Sequence, residues 1–216
     1  MSLKHWIQDI LFPEKCVLCG QLLPKEQTDL CHNCRTTVES YPFAKRNIQF
    51  LDSFTAVWYY EGYVRKSLLR YKFGGKQCYA DAYGRMLAMK ILRDFPEGVD
   101  HITWVPVSFW RRLSRGYDQV ELLAEAVSEE LGISAVPMLK KVRHNRRQSG
   151  IHDEATRKAN VLGVYRVTNP EWVRGRRILL LDDVLTTGAT ASECGRMLYT
   201  AGAKEVHCAA IAASRK

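Results

Sequence analysis

The run Ile178–Thr190, ILLLDDVLTTGAT, passes from aliphatic to acidic to hydroxyl-rich within thirteen residues. Its four consecutive aliphatics, preceded by Gly175 and two arginines, suit a strand buried on both faces, as in a parallel sheet. The next segment, ATASECGRMLYTAGA, places Ala191, Cys194, Leu198 and Ala201 on one helical face, with Gly202 as the expected stop. The predicted unit is strand, polar loop, helix. In such sheets, ligands gather where strand carboxyl ends meet helix amino ends.

Each residue type in that unit has a chemical use. First-turn amides with the helix dipole behind them favour an anion, above all a phosphate. Gly188 permits close backbone approach, Thr186, Thr187 and Thr190 add hydroxyl donors, and Ala189 leaves room. Asp182 and Asp183 are wrong for phosphate and right for hydroxyl donors or a cation. A ligand with a phosphate at one end and a diol at the other fits, and ribose 5-phosphate is such a ligand. The alternative is a capped loop with two solvated acids.

The 216 residues, 46% hydrophobic, suffice for one ordinary domain with a small appendage. No apolar run approaches a membrane span and no secretory leader is apparent, so a cytoplasmic protein is expected. The opening MSLKHWIQDILFP carries Trp6, Ile7, Ile10 and Leu11 at amphipathic spacing, suited to packing on a cysteine module or to a membrane foot. Four of the seven cysteines form the pairs Cys16-x-x-Cys19 and Cys31-x-x-Cys34, eleven residues apart. Two such knuckles complete a closed tetrahedral thiolate site for a structural Zn²⁺, with redox-active pairs as the alternative. His32 is a spare ligand that four sulfurs make unnecessary. Cys78, Cys194 and Cys208 fall in predicted helix or strand and are expected to be buried. The formal charge of +9 is uneven: Lys140–Arg177 holds eleven basic residues against three acids. Such clustering is an electrostatic footprint for phosphates, in a nucleotide or a nucleic acid.

Residues 1–45 read as a zinc-binding module and 46–216 as the larger domain. Strands are predicted in FTAVWYYEG, HITWVPV, AVPMLKKV, VLGVYRV, RILLLDD and VHCAAIAA. Helices are predicted around Tyr83–Ile91, from about Gly116 to Gly132, and after Gly188. The alternation gives an α/β fold, a mostly parallel sheet doubly wound by helices. YKFGGK places Lys72 and Lys76 around two glycines but lacks the spacing of a Walker loop. In RGYDQ, Asp118 is an acid suited to a first helical turn. His101, His144 and His152 have no spacing that suggests a metal or a nucleophilic dyad.

LLDDVLTTGAT resembles the phosphoribosyl-pyrophosphate (PRPP) signature of type I phosphoribosyltransferases. FPEKCVLCG, LCHNC, YKFGGK, VPVSFWRRLSRGYDQVELLAE and RRQSGIHDEATRKANVLGVY follow the order of the ComF family, competence-associated proteins joining a cysteine-rich module to that fold. The resemblance implies PRPP binding by Asp182, Asp183 and Thr186–Thr190, with the two aspartates catalytic. It implies a pyrophosphate loop at Val107, Ser108, Arg111 and Arg112, although Ser108 and Trp110 stand where a second proline and a histidine are expected, and Asp118 where an amide is. It places a closing loop at Arg143–Ala159, whose Arg143, Arg146, Arg147, Arg157 and Lys158 serve that closure or a nucleic acid. Mg²⁺ would accompany PRPP, and single-stranded DNA and competence-machinery proteins are the implied partners. Three functions stay open: phosphoribosyl transfer to a nitrogen nucleophile, DNA handling, and PRPP sensing without turnover. With only SRK after the last predicted strand, no C-terminal hood for a nucleobase is expected.

Overall fold

A computed structural model describes residues 14–43, 48–108, 112–113, 116–143 and 162–215. Its main sheet has four parallel strands: β1 (Ser53–Tyr59), β2 (His101–Trp104), β5 (Arg177–Leu185) and β6 (Glu205–Ala213), in the order β1-β6-β5-β2. The helices are α1 (His32–Thr37), α2 (Gly62–Phe73), α3 (Tyr79–Asp94), α4 (Gln119–Leu131) and α5 (Ala189–Thr200). Successive residues of a strand face opposite sides, and both sides are covered. Leu179, Leu181, Ile102 and Ile211 pack with Leu68, Leu87 and Leu123 of α2, α3 and α4. Ile178, Leu180, Val206 and Ala210 pack with Ala191, Cys194 and Leu198 of α5. The expected doubly wound α/β architecture is present, with the aliphatic run at its centre. Each such leucine contributes about 1.5–3 kcal/mol on burial.

Several local expectations need correction. AVPMLKKV bridges β2 in parallel at Ala135 and then forms β3 (Leu139–Lys141), which with β4 (Tyr165–Val167), all that remains of VLGVYRV, makes a separate antiparallel pair. Pro137 lacks an amide for a ladder, and Gly163 sits at φ 67° just before β4. Helix α4 starts at Gln119 rather than Gly116, because the Asp118 carboxylate caps it, accepting from the Val120 and Glu121 amides. Helix α2 is an element the sequence reading did not separate. Cys194 and Cys208 are buried as expected, but Cys78 is exposed at the amino end of α3.

The cysteine knuckles do not stand apart from the larger unit. Val17 and Leu18, between Cys16 and Cys19, join the cluster of Leu68, Tyr83 and Leu87. The Val17 carbonyl accepts from Ser67 Oγ and Arg70 Nη2, and the Leu18 carbonyl from Arg70 Nη2 at 2.7 Å. Arg85 of α3 grips Asp29 with two hydrogen bonds. The module thus shares a core with the sheet's helices. Unfolding the knuckles would therefore expose part of that shared core. No helix among the described residues is long and apolar enough to cross a membrane.

Candidate active site

Strand β5 runs on to Leu185, two residues past the expected end at Asp183, so both aspartates lie within the strand. Pairing with β2 ends at Trp104–Leu181, with Val105 N donating to the Leu181 carbonyl at 2.9 Å. Pairing with β6 continues to Leu185–Ala213. The two aspartates therefore occupy an overhang beyond the end of β2, at the sheet's carboxyl edge. Strand alternation gives them different surroundings. Asp183 follows Leu179 and Leu181 onto the face of α2, α3 and α4, and Asp182 follows Ile178 and Leu180 onto the face of α5.

Asp183 is buried and held by two helices. Its Oδ1 is 2.8 Å from Lys72 Nζ in α2, and its Oδ2 accepts from Gln119 Nε2 in α4 at 2.8 Å. Gln119 is fixed through its backbone, whose carbonyl accepts from Tyr71 OH. Tyr117 OH donates in turn to the Tyr71 carbonyl. Burial and then the Asp183 charge hold the Tyr71 hydroxyl far above its ordinary pKa, so it stays a donor. Asp182 Oδ1 accepts from the Asp183 amide at 2.8 Å. Burial and the adjacent Asp183 charge push its carboxyl up to about 8, against the pull of Lys72. One carboxylate is paired and the other strained by charge. Such divergence is characteristic of sites where acids have separate tasks.

Past Leu185, Thr186, Thr187 and Thr190 are half-buried and Gly188 and Ala189 buried. Gly188 adopts φ 81° and caps α5, while Thr187 Oγ1 accepts from the Ala189 amide at 3.3 Å. Helix α5 thus opens directly after the overhang, and its first-turn amides and dipole favour an anion there. A Cβ on Gly188 would sit 2.9 Å from Ile48 Cδ1, so a side chain there strains the packing.

The loop after β2 is only partly joined to this site. The Val107 amide donates to Asp118 Oδ2 at 3.4 Å, and Ser108 is buried. Arg112 directs its guanidinium to Glu121, 3.4 Å away. Arg143 is exposed, and beyond the basic loop Glu193 Oε1 accepts from the Gly163 amide at 2.8 Å. Arg111, Arg146, Arg147, Arg157 and Lys158, with Trp6, Ile7, Ile10, Leu11, Trp110, Arg115, His144 and His152, lie outside the described residues. Lys72 and Gln119 are the site residues that the sequence reading missed. The signal for Lys72 was the helical spacing of Val64, Leu68 and Tyr71, which sets the lysine beside a buried face.

The thiolate cluster fits a metal. The sulfurs of Cys16, Cys19, Cys31 and Cys34 all lie within 4.8 Å of one another, with Cys19 and Cys31 Sγ 3.7 Å apart. A tetrahedron with Zn–S bonds of about 2.3 Å requires S–S edges of about 3.8 Å. The Cys34 amide donates to Cys31 Sγ at 3.4 Å, as knuckle amides do toward ligating sulfur. Against burial, the amides of Cys19, Cys31 and Leu18 draw the Cys16 thiol down to about 7. His32 is exposed and outside the cluster. The donor set supports one structural zinc.

Comparison with known proteins agrees with this anatomy. The phosphoribosyl transferase domain family matches residues 120–216 and the double zinc ribbon domain family residues 7–45. The latter stretch holds four cysteines, enough for a single four-thiolate ion. Competence protein F of Haemophilus influenzae is 26% identical, over 90% of this chain and 95% of its own. Competence protein ComFC of Streptococcus pneumoniae is 27% identical, over 89% of this chain and 96% of its own. The DNA utilization protein YhgH of Escherichia coli is 30% identical, over 62% of this chain and 60% of its own. With a zinc ribbon match ahead of a phosphoribosyl transferase domain match, and alignment over nearly its whole length, the chain is similar to the ComF-type competence proteins.

Proposed function

We propose that this protein binds Mg²⁺-PRPP at the β5–α5 junction, transfers the phosphoribosyl group to a nitrogen nucleophile, and acts in the handling of single-stranded DNA during uptake. The observation that carries the reading is the overhang of β5. It sets a buried, doubly anchored carboxylate, Asp183, a few residues before a glycine-capped helix N-terminus. The amides and hydroxyls of Thr186–Thr190 take the 5-phosphate, and Asp182 and Asp183 accept from the ribose hydroxyls. Mg²⁺ would come in with the donor, since it prefers substrate phosphates and retained waters to a protein cage, and would neutralise charge on the leaving group. As the C1–O bond breaks, the pyrophosphate leaves with the bonding pair and C1 becomes electron-poor. The ionised Asp183 nearby stabilises that charge, the nitrogen lone pair closes the new bond, and the nitrogen's proton leaves with the departing pyrophosphate.

Charge supports the DNA role. Besides the Lys140–Arg177 segment, residues 62–78 carry Arg65, Lys66, Arg70, Lys72 and Lys76 and no acid. Tyr63 and Phe73 are exposed on that same stretch, a mixture of cations and rings suited to a single strand. The competence and DNA-utilization names of the relatives agree with it.

Titration calorimetry with PRPP, with and without Mg²⁺, tests the ligand. Pyrophosphate release in the presence of oligonucleotides tests turnover. Asp183→Asn is expected to weaken PRPP binding about tenfold or more, the usual cost of losing a charged hydrogen-bond acceptor. No Mg²⁺-dependent binding to wild type would end the assignment. Binding without release under any acceptor would make the protein a PRPP sensor instead. For DNA, neutralising about five phosphates gives a log K against log salt slope of roughly −3.5. A slope unchanged by Arg143→Ala, Arg146→Ala and Arg147→Ala together would move the strand off that loop.

A further inference from the structure

We infer that Lys72 is an exchangeable counter-ion, paired with Asp183 when the site is empty and transferred to the pyrophosphate when the donor binds. This rests on the proposed PRPP site and gives it a device that neither the sequence motif nor the family match assigns. Three observations carry it.

The pair is close and shielded: Lys72 Nζ to Asp183 Oδ1 is 2.8 Å, with side chains 17% and 8% exposed. Lys72 belongs to a different element from the signature strand. It is the penultimate residue of α2, followed by the exposed Phe73 and the glycines 74 and 75. Asp183 would not be stranded if the lysine left, because Gln119 Nε2 still donates to its other oxygen at 2.8 Å. The carboxylate thus has, among its partners, a neutral donor from α4 and a charged one from α2.

The chemistry of the donor explains why the charged one should be movable. Asp183 is assigned to the ribose hydroxyls, and in PRPP the pyrophosphate is attached at C1, the carbon next to the one bearing the 2-hydroxyl. An ammonium already resting against that carboxylate is within a side chain's swing of the pyrophosphate. Lysine is a flexible point charge, suited to such a transfer in a way arginine's fixed fork is not. A multiply charged pyrophosphate outbids a single carboxylate for it. Once the ammonium has left, Asp183 Oδ1 no longer shares its charge with Lys72 and can accept from the arriving ribose hydroxyl. The exchange also keeps the two acids from repelling the incoming anion, since the empty site is partly neutralised beforehand. When the C1–O bond breaks, the ammonium lies beside the growing negative charge of the leaving group.

The two partners of this ion pair then have opposite effects on two simple probes, inorganic pyrophosphate with Mg²⁺ and ribose 5-phosphate. Calorimetry on the full-length protein is expected to show Lys72→Met weakening pyrophosphate about tenfold or more. The same variant should leave ribose 5-phosphate unchanged or tighter, because its competitor for Asp183 is gone. Asp183→Asn should do the reverse, tightening pyrophosphate several-fold and weakening ribose 5-phosphate. A merely structural ion pair would weaken both ligands together in either variant, and that result overturns the proposal, as does pyrophosphate binding indifferent to Lys72. Each variant is read independently, so loss of folding in one leaves the other decisive. If wild type binds neither probe, it is the PRPP site itself that fails.

Discussion

Asp182 is a carboxyl whose surroundings oppose its charge. Burial and Asp183 both raise its pKa, to about 8, and Lys72 only partly offsets them. An unfolded aspartate titrates near 3.9. Between about pH 4 and 8 the folded chain therefore binds more proton at this position than the unfolded chain does. By linkage, stability contributed here is present at low pH and lost as pH rises through that window. Asp182→Asn removes the penalty and retains the acceptor for the Asp183 amide. Thermal melts without ligand should show the variant more stable than wild type at pH 8 by about 1–2 kcal/mol, or a few degrees. The gap should close toward pH 5, and a gap that is equal at both pH values would mean that Asp182 is ionised throughout. Residue types at this scale were legible in the sequence: two acids, three threonines and a glycine implied phosphate at one end and hydroxyls at the other. Their partners were not. Lys72 and Gln119 are far from the motif along the chain, and only the packing of α2 and α4 on β5 brings them to Asp183.

At the scale of elements, two glycines set distances that the hydrophobic pattern alone cannot specify. Gly84 lies where α3 crosses α4, and a Cβ there would meet Ala126 Cβ at 2.5 Å. Gly195 lies where α5 crosses the segment before β1, and its Cβ would meet the Phe50 carbonyl at 2.2 Å. Gly84→Ala must push α4 away from α3, and α4 carries Gln119. The expected cost is about 1–3 kcal/mol from overpacking, measured by denaturant unfolding, together with weaker ligand binding. Unchanged stability would mean that the helices slide apart freely. The strands of the main sheet could be read in advance because continuous aliphatic runs have few other uses. β3 and β4 could not: three residues each, beside Pro137 and Gly163, they carry too little pattern to show that they pair with each other rather than with the sheet. Helix α2 was hidden by its composition. Five basic residues within Gly62–Lys76 obscure the buried stripe of Val64, Leu68 and Tyr71.

Across the whole molecule, the zinc knuckles and the candidate active site are joined by a single helix. The carbonyls of Val17 and Leu18, inside the first knuckle, are held by Ser67 and Arg70 of α2. One residue after Arg70, Tyr71 anchors Gln119, and the next, Lys72, reaches Asp183. A closed thiolate site holds on the order of ten kcal/mol of folding free energy in small modules, so the metal fixes the loop on which α2 rests. Cysteine spacing alone suggests an independent appendage, because spacing says nothing about what the knuckle's backbone touches. Metal analysis should find about one zinc per chain. Cys16→Ser, or chelation, should lower the melting temperature of the larger unit as well as the knuckles, in one shared transition. Affinity for pyrophosphate should fall with it at temperatures where the variant is still folded, since Lys72 loses its fixed starting point. Two separate transitions, with the upper one unmoved and pyrophosphate binding intact, would show that the ribbon is an appendage after all and that α2 holds its place without it.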